Sequence, residues 1–373
     1  MDIILKQVTT NSDLRRFIGF PYDLYKGNQF WCPQMRMDEK QTLSSKKNPA
    51  FDFCEARYWL AYRGKELVGR IAGIINHKAN DRWNEKLVRF GWIDFIDDLE
   101  VSGKLIKAVE DWGMENGMNG IHGPLGFSDM DNEGMLIKGF DEQATLASIY
   151  NFPYYPEHME KLGFSKAADW VQYTFDIPQT IPDKMERMSV LVQEKYGLHL
   201  INAKKAKDFL PYAHKMFKLL NQAFDELYGF TALSERQIQN YIKQYFGFIR
   251  PEFVSMVIDK QDEVVGFGIS MPSLTLALRK CDGKLFPFGF IHILRAIKKN
   301  DTIDMYINGV HPDFHGKGVA AIYYHQLHKA YIQNKIKRAV TAPQLEDNAK
   351  ALTMWKSFNG RQHITRRCWK KKF

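Results

Sequence analysis

Cysteine is scarce in this chain. It occurs four times in 373 residues, as Cys32, Cys54, Cys281 and Cys368. No pair has the spacing of zinc ligands and none forms C-x-x-C. That excludes a zinc module and a thioredoxin-type redox pair, and it predicts isolated, reduced thiols and no metal. Long apolar runs are also missing. The longest, near "LFPFGFIHIL", is interrupted by Pro287 and Gly289 and is far too short to span a bilayer. The opening "MDIILKQVTTNSDL" lacks a charged segment followed by an apolar run, so no signal peptide is expected. No Ser/His/Asp order, heptad run or low-complexity segment stands out. Together these absences predict a cytoplasmic protein with no membrane span.

Length favours two domains, or one domain built as a duplicate. The formal net charge is +9. Lysines are spread along the chain, except in the closing "RRCWKKKF". The charge therefore suits an anionic partner, such as a phosphorylated cofactor, RNA or acidic lipid, and suits a plain solvated surface equally well.

Two stretches of the chain rhyme. In "ARYWLAYRGKELVGRIAGII" two apolar, β-rich runs flank a turn at Arg63, Gly64 and Lys65. "FVSMVIDKQDEVVGFGISM" repeats the pattern about a turn at 259–263, and Gly266 answers Gly69. Each hairpin is followed by a strand (88–96 and 304–310) and by a helix with apolar spacing (102–116 and 318–334). A short strand comes next, in "GIHGPLGF" and "RAVTAP", and then a loop and a second helix. A repeat this long is a duplicated domain. Each unit reads as a mixed, mostly antiparallel sheet flanked by helices, an α/β (α+β) class. Pro178 and Pro182 in "FDIPQTIPDKMERM" put the junction there, giving domains 1–178 and 179–373.

The glycines gather at one strand-to-helix junction, "INGVHPDFHGKGVAAIYYHQL". A helix N-terminus offers unpaired N–H groups and partial positive charge, and phosphates bind there when the backbone can come close. Gly316 and Gly318 remove side chains that would block approach. Lys317 adds a point charge, and Val319 and Ala320 add N–H groups without bulk. The pattern predicts an anion cradle for a diphosphate; the alternative is a tight turn with no ligand. It is not a dinucleotide fingerprint, because Ala321 stands at the third glycine, and not a P-loop, because no G-K-[ST] follows.

Residues 315–320 resemble the [Q/R]-x-x-G-x-[G/A] signature of the GNAT-type acyl-CoA N-acyltransferases, with His315 in first place. Asn348, Ala351 and "MWKSF" fall at the spacing of that family's next element, an asparagine, an alanine and a Tyr-x-K on a helix. The resemblance covers about 198–373. The first half resembles the same fold without the loop, with Gly103 as the one glycine kept. The whole is similar to the tandem-GNAT architecture of N-myristoyltransferases and peptidoglycan-bridge aminoacyltransferases. It is also similar to a bacterial group marked by "FSDMDNEGMLIKGFD" at 127–141.

This resemblance implies two tandem GNAT-like domains, only the second with the acyl-CoA loop. It implies acetyl-CoA or another acyl-CoA as cosubstrate, with its diphosphate on His315, Gly316, Lys317, Gly318, Val319 and Ala320. The pantetheine arm would run along 307–310, past Asn308, Gly309 and Val310, where neighbouring strands splay apart. A backbone N–H at Asn308 or Gly309 would polarise the thioester carbonyl, and Asn348 would help close the wall. Many members use a tyrosine on the last helix as the acid. Here Trp355 stands there, and indole has no proton to give at a useful pKa.

Amine attack still needs a base. Strand alternation puts Asp304, Tyr306 and Asn308 on one face, which makes Asp304 and Tyr306 candidates. The alternative is that Asp304 merely begins a strand and Tyr306 packs under a helix. In the acidic segment, Glu133 and Asp129 are candidates to receive a cationic amine, against a loop whose Ser and Asp only cap helices. Its spacing fails as an EF-hand. "LFPFGFIHILRAI" at 285–297 reads as a helix that covers the sheet edge rather than an acyl groove. The expected activity is transfer of an acyl group, acetyl by preference, from acyl-CoA to a primary amine. Two other readings stand beside it: a non-catalytic scaffold holding coenzyme A, RNA or peptide, and an aminoacyl-tRNA-dependent transferase. Nucleic acid is the less favoured partner.

Overall fold

The computed structural model describes residues 1–247, 249–348, 352, 355 and 358–373. Among them the first hairpin is β2 (Cys54–Arg63) and β3 (Glu66–Asn76), and the second is β9 (Val254–Ile258) and β10 (Val264–Pro272). The remaining strands of the first half are β1 (Ile3–Gln7), β4 (Leu87–Phe95), β5 (Gly120–Gly123), β6 (Met135–Lys138) and β7 (Ser165–Asp176). The second half adds β8 (His199–Leu200), β11 (Thr302–Val310), β12 (Arg338–Thr341), β13 (Gln344–Leu345) and β14 (Arg361–Lys372).

All of them join one sheet, in the order β1-β2-β3-β4-β5-β14-β7-β12-β11-β10-β9-β8. β6 pairs with β14, and β13 with β7. Only β4–β5 and β11–β12 are parallel pairs among the described residues. The mixed, mostly antiparallel sheet with flanking helices is the expected class, formed twice.

The rhyming glycines have one physical role. A Cβ on Gly69 would lie 2.8 Å from Leu105 and 3.0 Å from Val101, on the helix Leu99–Glu115. A Cβ on Gly266 would lie 2.6 Å from Val319, on the helix Val319–Gln333. In each half the helix after the central strand crosses the hairpin at that point, and only glycine leaves room. The first of these helices starts three residues before the expected 102, because Asp98 caps it by accepting from the Glu100 N–H at 2.8 Å.

The last strands are exchanged between the halves. β7 ends the first half in sequence, yet pairs with β12 and β13 of the second. β14 ends the second half, yet pairs with β5 and β6 of the first. The two exchanged strands pair with each other along most of their length. β7 thus lies in the sheet of the second half. Ile177 donates to Lys337, and the Pro178 carbonyl accepts from His328. Residues at the sequence junction are held by cross-half hydrogen bonds, not by a free linker.

The segment at 285–297 is helical from Gly289, as expected, and covers side chains of the first half. The helices Thr275–Cys281 and Gly289–Lys298 bury Ala277, Leu278 and Ile293 against Tyr25, Cys32 and Leu136 of the first half. Their other side leaves Phe286, Phe288 and Leu294 in solvent. No helix among the described residues is long and apolar enough to cross a membrane.

Candidate active site

β11 runs into the glycine loop through a short turn, Pro312–Phe314. Gly316 and Gly318 have φ of +74° and +83°, a region that glycine enters without steric cost. Gly318 is the N-cap of the helix Val319–Gln333, and no side chain caps that end. The first-turn N–H groups of Val319 and Ala320 are therefore left without the intrahelical acceptor that later residues have. The loop is exposed from His315 to Lys317. A Cβ on Gly316 would meet open space, whereas one on Gly318 would lie 3.0 Å from Val192. Gly316 thus keeps the approach clear, and Gly318 lets the helix Asp183–Tyr196 pack. Lys317 extends over the rings of Phe314 and Tyr196, 5.2 and 5.5 Å from their centroids. His315 donates from Nε2 to the Val310 carbonyl at 3.1 Å.

The strand before this loop has an open edge. β11 pairs with β12 from Thr302↔Arg338 to Met305↔Thr341, and the pairing stops there. From Tyr306 to Val310 the strand has, among the described residues, β10 as its one strand neighbour. The β10 register shifts between Ile269 and Ser270, which leaves Tyr306 as the extra residue of a β-bulge.

The bulge corrects the expectation that Asp304, Tyr306 and Asn308 share a face. Before it, Ile303 and Met305 pack toward the helix Val319–Gln333. After it, Ile307 packs on the opposite side, around Phe217 and Phe267, and Gly309 lies against Phe267. Asn308 pairs with Gly268, whose Cβ would point at Leu327 and Tyr323. One extra residue reverses the alternation, so Asn308 faces the helix while Asp304 and Tyr306 stay on the other face.

Asp304 and Tyr306 belong to a set of buried polar side chains whose atoms lack partners among the described residues. Both carboxylate oxygens of Asp304, the Tyr306 hydroxyl, Asp129 Oδ1 and Glu133 Oε1 make no hydrogen bond among the described residues. Burial raises Asp304 to about 7, and the nearby Ser273 hydroxyl offsets only part of the rise. Burial, then the Asp304 charge, pushes Tyr306 well above its ordinary value. Burial also raises Asp129 and Glu133, and each carboxylate opposes ionisation of the other groups around it.

The acidic segment does reach the second half. Ser128 Oγ lies 3.4 Å from the Tyr241 hydroxyl. Met130 packs against the same apolar cluster as Ile307. Tyr245 links the two sets of acids, acting electrostatically with Asp131 on one side and Tyr306 on the other. Part of the segment has a capping role: the Asp131 carboxylate accepts from the N–H groups of Phe127 and Ser128 at 2.8 and 3.2 Å.

Sequence reasoning missed Arg89. It is 2% exposed, donates to the carbonyls of Gly126 and Gly229, and is the cation that favours ionisation of Asp129, Asp131 and Glu133. It also missed Glu39, which accepts from Trp92 at 2.8 Å and is raised by burial to about 7. The sequence signal for Arg89 was a basic residue inside a largely apolar central strand whose other charge is Asp94.

Trp355 is fully buried, stacks on Phe175 and donates to Gln344 at 2.7 Å. It is a core residue of the second half. Asn348 sits at the turn after β13, where its carbonyl accepts from the Leu352 N–H. Ala351, Met354, Lys356 and Ser357, also matched to the family element, lie outside the described residues.

No family model matches the chain. It is similar to Protein YghO of Escherichia coli, 26% identical over 92% of this chain and 89% of that one. It is also similar to the bacterial ceramide synthase of Caulobacter vibrioides, 29% identical over 80% of this chain and 77% of that one. Among solved structures, a tandem GNAT protein from the clavulanic acid biosynthesis pathway aligns over 100% of this chain and 98% of its own, with a TM-score of 0.56 and 11% identity. A GCN5-related N-acetyltransferase from Sphaerobacter thermophilus aligns over 99% and 95%, with a TM-score of 0.51 and 8% identity. At such identities the likeness is one of fold, and it runs from end to end: the chain has the tandem GNAT fold.

Proposed function

We propose that the chain is an N-acyltransferase that carries an acyl group from acyl-CoA to a primary amine. One observation carries this reading. The strand with an open edge, β11, leads through a short glycine loop to a helix N-terminus that no side chain caps. A pantetheine arm pairs with such an edge, and a diphosphate docks on such an end.

In this reading the unit 179–373 holds the donor and the unit 1–178 contributes the acidic segment. Gly316, Lys317, Gly318, Val319 and Ala320 take the diphosphate, with His315 beside them. The backbone of Asn308, Gly309 and Val310 lines the arm, and Asn348 closes the far wall. A bulge leaves the backbone of its extra residue outside the regular ladder. An N–H there receives the negative charge that amine attack builds on the thioester oxygen.

The proton balance follows from the buried acids. As the C–N bond forms and the C–S bond breaks, the amine loses a proton and the thiolate gains one. Asp304, raised by burial to about 7, is matched to take the amine proton near neutrality. Tyr306 remains protonated and supplies the thiolate. Glu133 and Asp129 receive the amine: an arriving ammonium favours their charged forms, which burial otherwise opposes. The compartment for this chemistry is cytoplasmic, where acyl-CoA is available.

The relative from Caulobacter extends the reading to the acceptor. A ceramide is the amide of a fatty acid with a long-chain amino alcohol, so the activity in that protein's name is N-acylation of a long-chain amine. The same acceptor class is proposed here.

A free-thiol release screen tests this, with acyl-CoAs of increasing length against short and long-chain primary amines, beside melting curves with coenzyme A. Coenzyme A is expected to raise the melting temperature, as any native-state ligand does, and thiol release is expected only with amine present. No melting shift and no amine-dependent thiol would overturn the proposal.

A further inference from the structure

The helices Thr275–Cys281 and Gly289–Lys298, with the turn between them, form an outward-facing apolar patch. Leu276, Phe286, Phe288, Phe290 and Leu294 are 40 to 75% exposed. A cluster of large apolar side chains held in water marks a binding surface rather than a packing accident. It is not a loose end of the fold. The inner side is anchored by Leu274, Ala277, Leu278 and Ile293 in a cluster shared with Tyr25 and Tyr150. The Arg36 side chain bridges to Asp282, fixing the turn from the first half.

The charges around the patch identify its occupant. Between 275 and 299 there are six lysines and arginines and a single acid, Asp282, which Arg36 already pairs. Lys280, Lys284, Arg295, Lys298 and Lys299 are exposed. Aromatic and aliphatic side chains rimmed by cations match a bilayer whose headgroups are anionic and whose interior is apolar. A second copy of this chain would bring the same cations against each other. We infer that this helical hairpin docks the protein on an anionic phospholipid membrane, with Phe286, Phe288 and Leu294 in the headgroup–acyl boundary and the lysines on the headgroups.

Thr275, the first residue of the hairpin, lies with its hydroxyl 3.7 Å from the Cys32 thiol, and Cys32 acts electrostatically on Tyr306. The hairpin thus packs on Cys32, whose neighbour is Tyr306. Docking presents the outer side of that hairpin to the membrane.

Vesicle cosedimentation tests the inference and needs no activity. Wild type is expected to sediment with phosphatidylcholine–phosphatidylglycerol vesicles. It should bind those of phosphatidylcholine alone at least about tenfold less, with binding to the anionic vesicles falling as salt rises. Phe286→Ser with Phe288→Ser should lower partitioning by about tenfold or more, and Lys280→Glu with Lys284→Glu by a similar factor. All four side chains are exposed, so unchanged melting temperatures will show that the fold is kept. Equal binding by wild type and the double phenylalanine variant overturns the inference. So does a wild type that stays in the supernatant. A dimer in sedimentation velocity that the phenylalanine variant abolishes, without vesicle binding, assigns the patch to a second copy instead.

Discussion

The Leu125 N–H donates to the Phe90 carbonyl at 2.8 Å. With that bond the first half closes the gap that the second half leaves open. β4 pairs with β5 only as far as Arg89↔His122, and its β3 register shifts between Arg70 and Ala72, as β11 does beside Tyr306. The first half therefore has the same splayed and bulged central strand. Its own chain lies in the opening: a Cβ on Gly91 would come within 2.5 Å of the Leu125 carbonyl. Its helix end is blocked too, because the Asp98 carboxylate caps it and pairs with Arg63. A diphosphate would meet like charge there, so one donor site per chain is the physical expectation.

At the open end, Gly316→Asp tests the cradle with the least damage to the fold. Aspartate tolerates the left-handed region better than most residues, and its side chain enters open space. The melting shift given by coenzyme A should vanish, while the unliganded protein loses about 1 kcal/mol or less. An undiminished shift would remove Gly316 from the cradle.

Asp304 makes two linked predictions about pH. As the base, its ionisation brings activity up as pH rises through about 7, and Asp304→Asn should lower turnover by roughly 10²–10⁴. Its effect on stability has the opposite sense. The folded-state pKa lies above the ordinary 3.8, so the folded protein binds the proton more tightly than the unfolded chain. Stability from this group is whole below pH 3.8 and is lost as pH rises toward 7. Asp304→Asn, neutral throughout, should melt like wild type in acid and above it at pH 8, by up to about 4 kcal/mol. Urea melts at both pH values check the sign.

Glu133→Gln removes the carboxyl's capacity to ionise beside an ammonium, with little change of shape. It should raise KM for the amine while leaving the coenzyme A melting shift untouched. A change in the coenzyme A response instead would place Glu133 on the donor side.

Trp355 should behave as core. Trp355→Phe leaves Gln344 Oε1 without its donor and should cost about 1–3 kcal/mol in urea unfolding, with turnover unchanged. A tyrosine there should give no gain in rate, because the position is buried between Phe175 and Tyr324 rather than on the donor strand.

The chain's pattern alone set the two hairpins, the paired glycines at 69 and 266, both central strands and the bare helix end at 318. Each depends on neighbours in sequence: alternation, turn residues, and glycine where the backbone must turn or be approached. Tertiary structure alone decided the rest. The exchange of β7 and β14 is a choice between equivalent sheet edges, which local pattern cannot rank. The bulge at Tyr306 exists only relative to β10, and it turned Asn308 away from Asp304. The acidic segment joined Tyr241 and Ile307 because long-range packing put it there, and the cost of burying its carboxylates beside Arg89 is a property of the folded interior, where water is excluded.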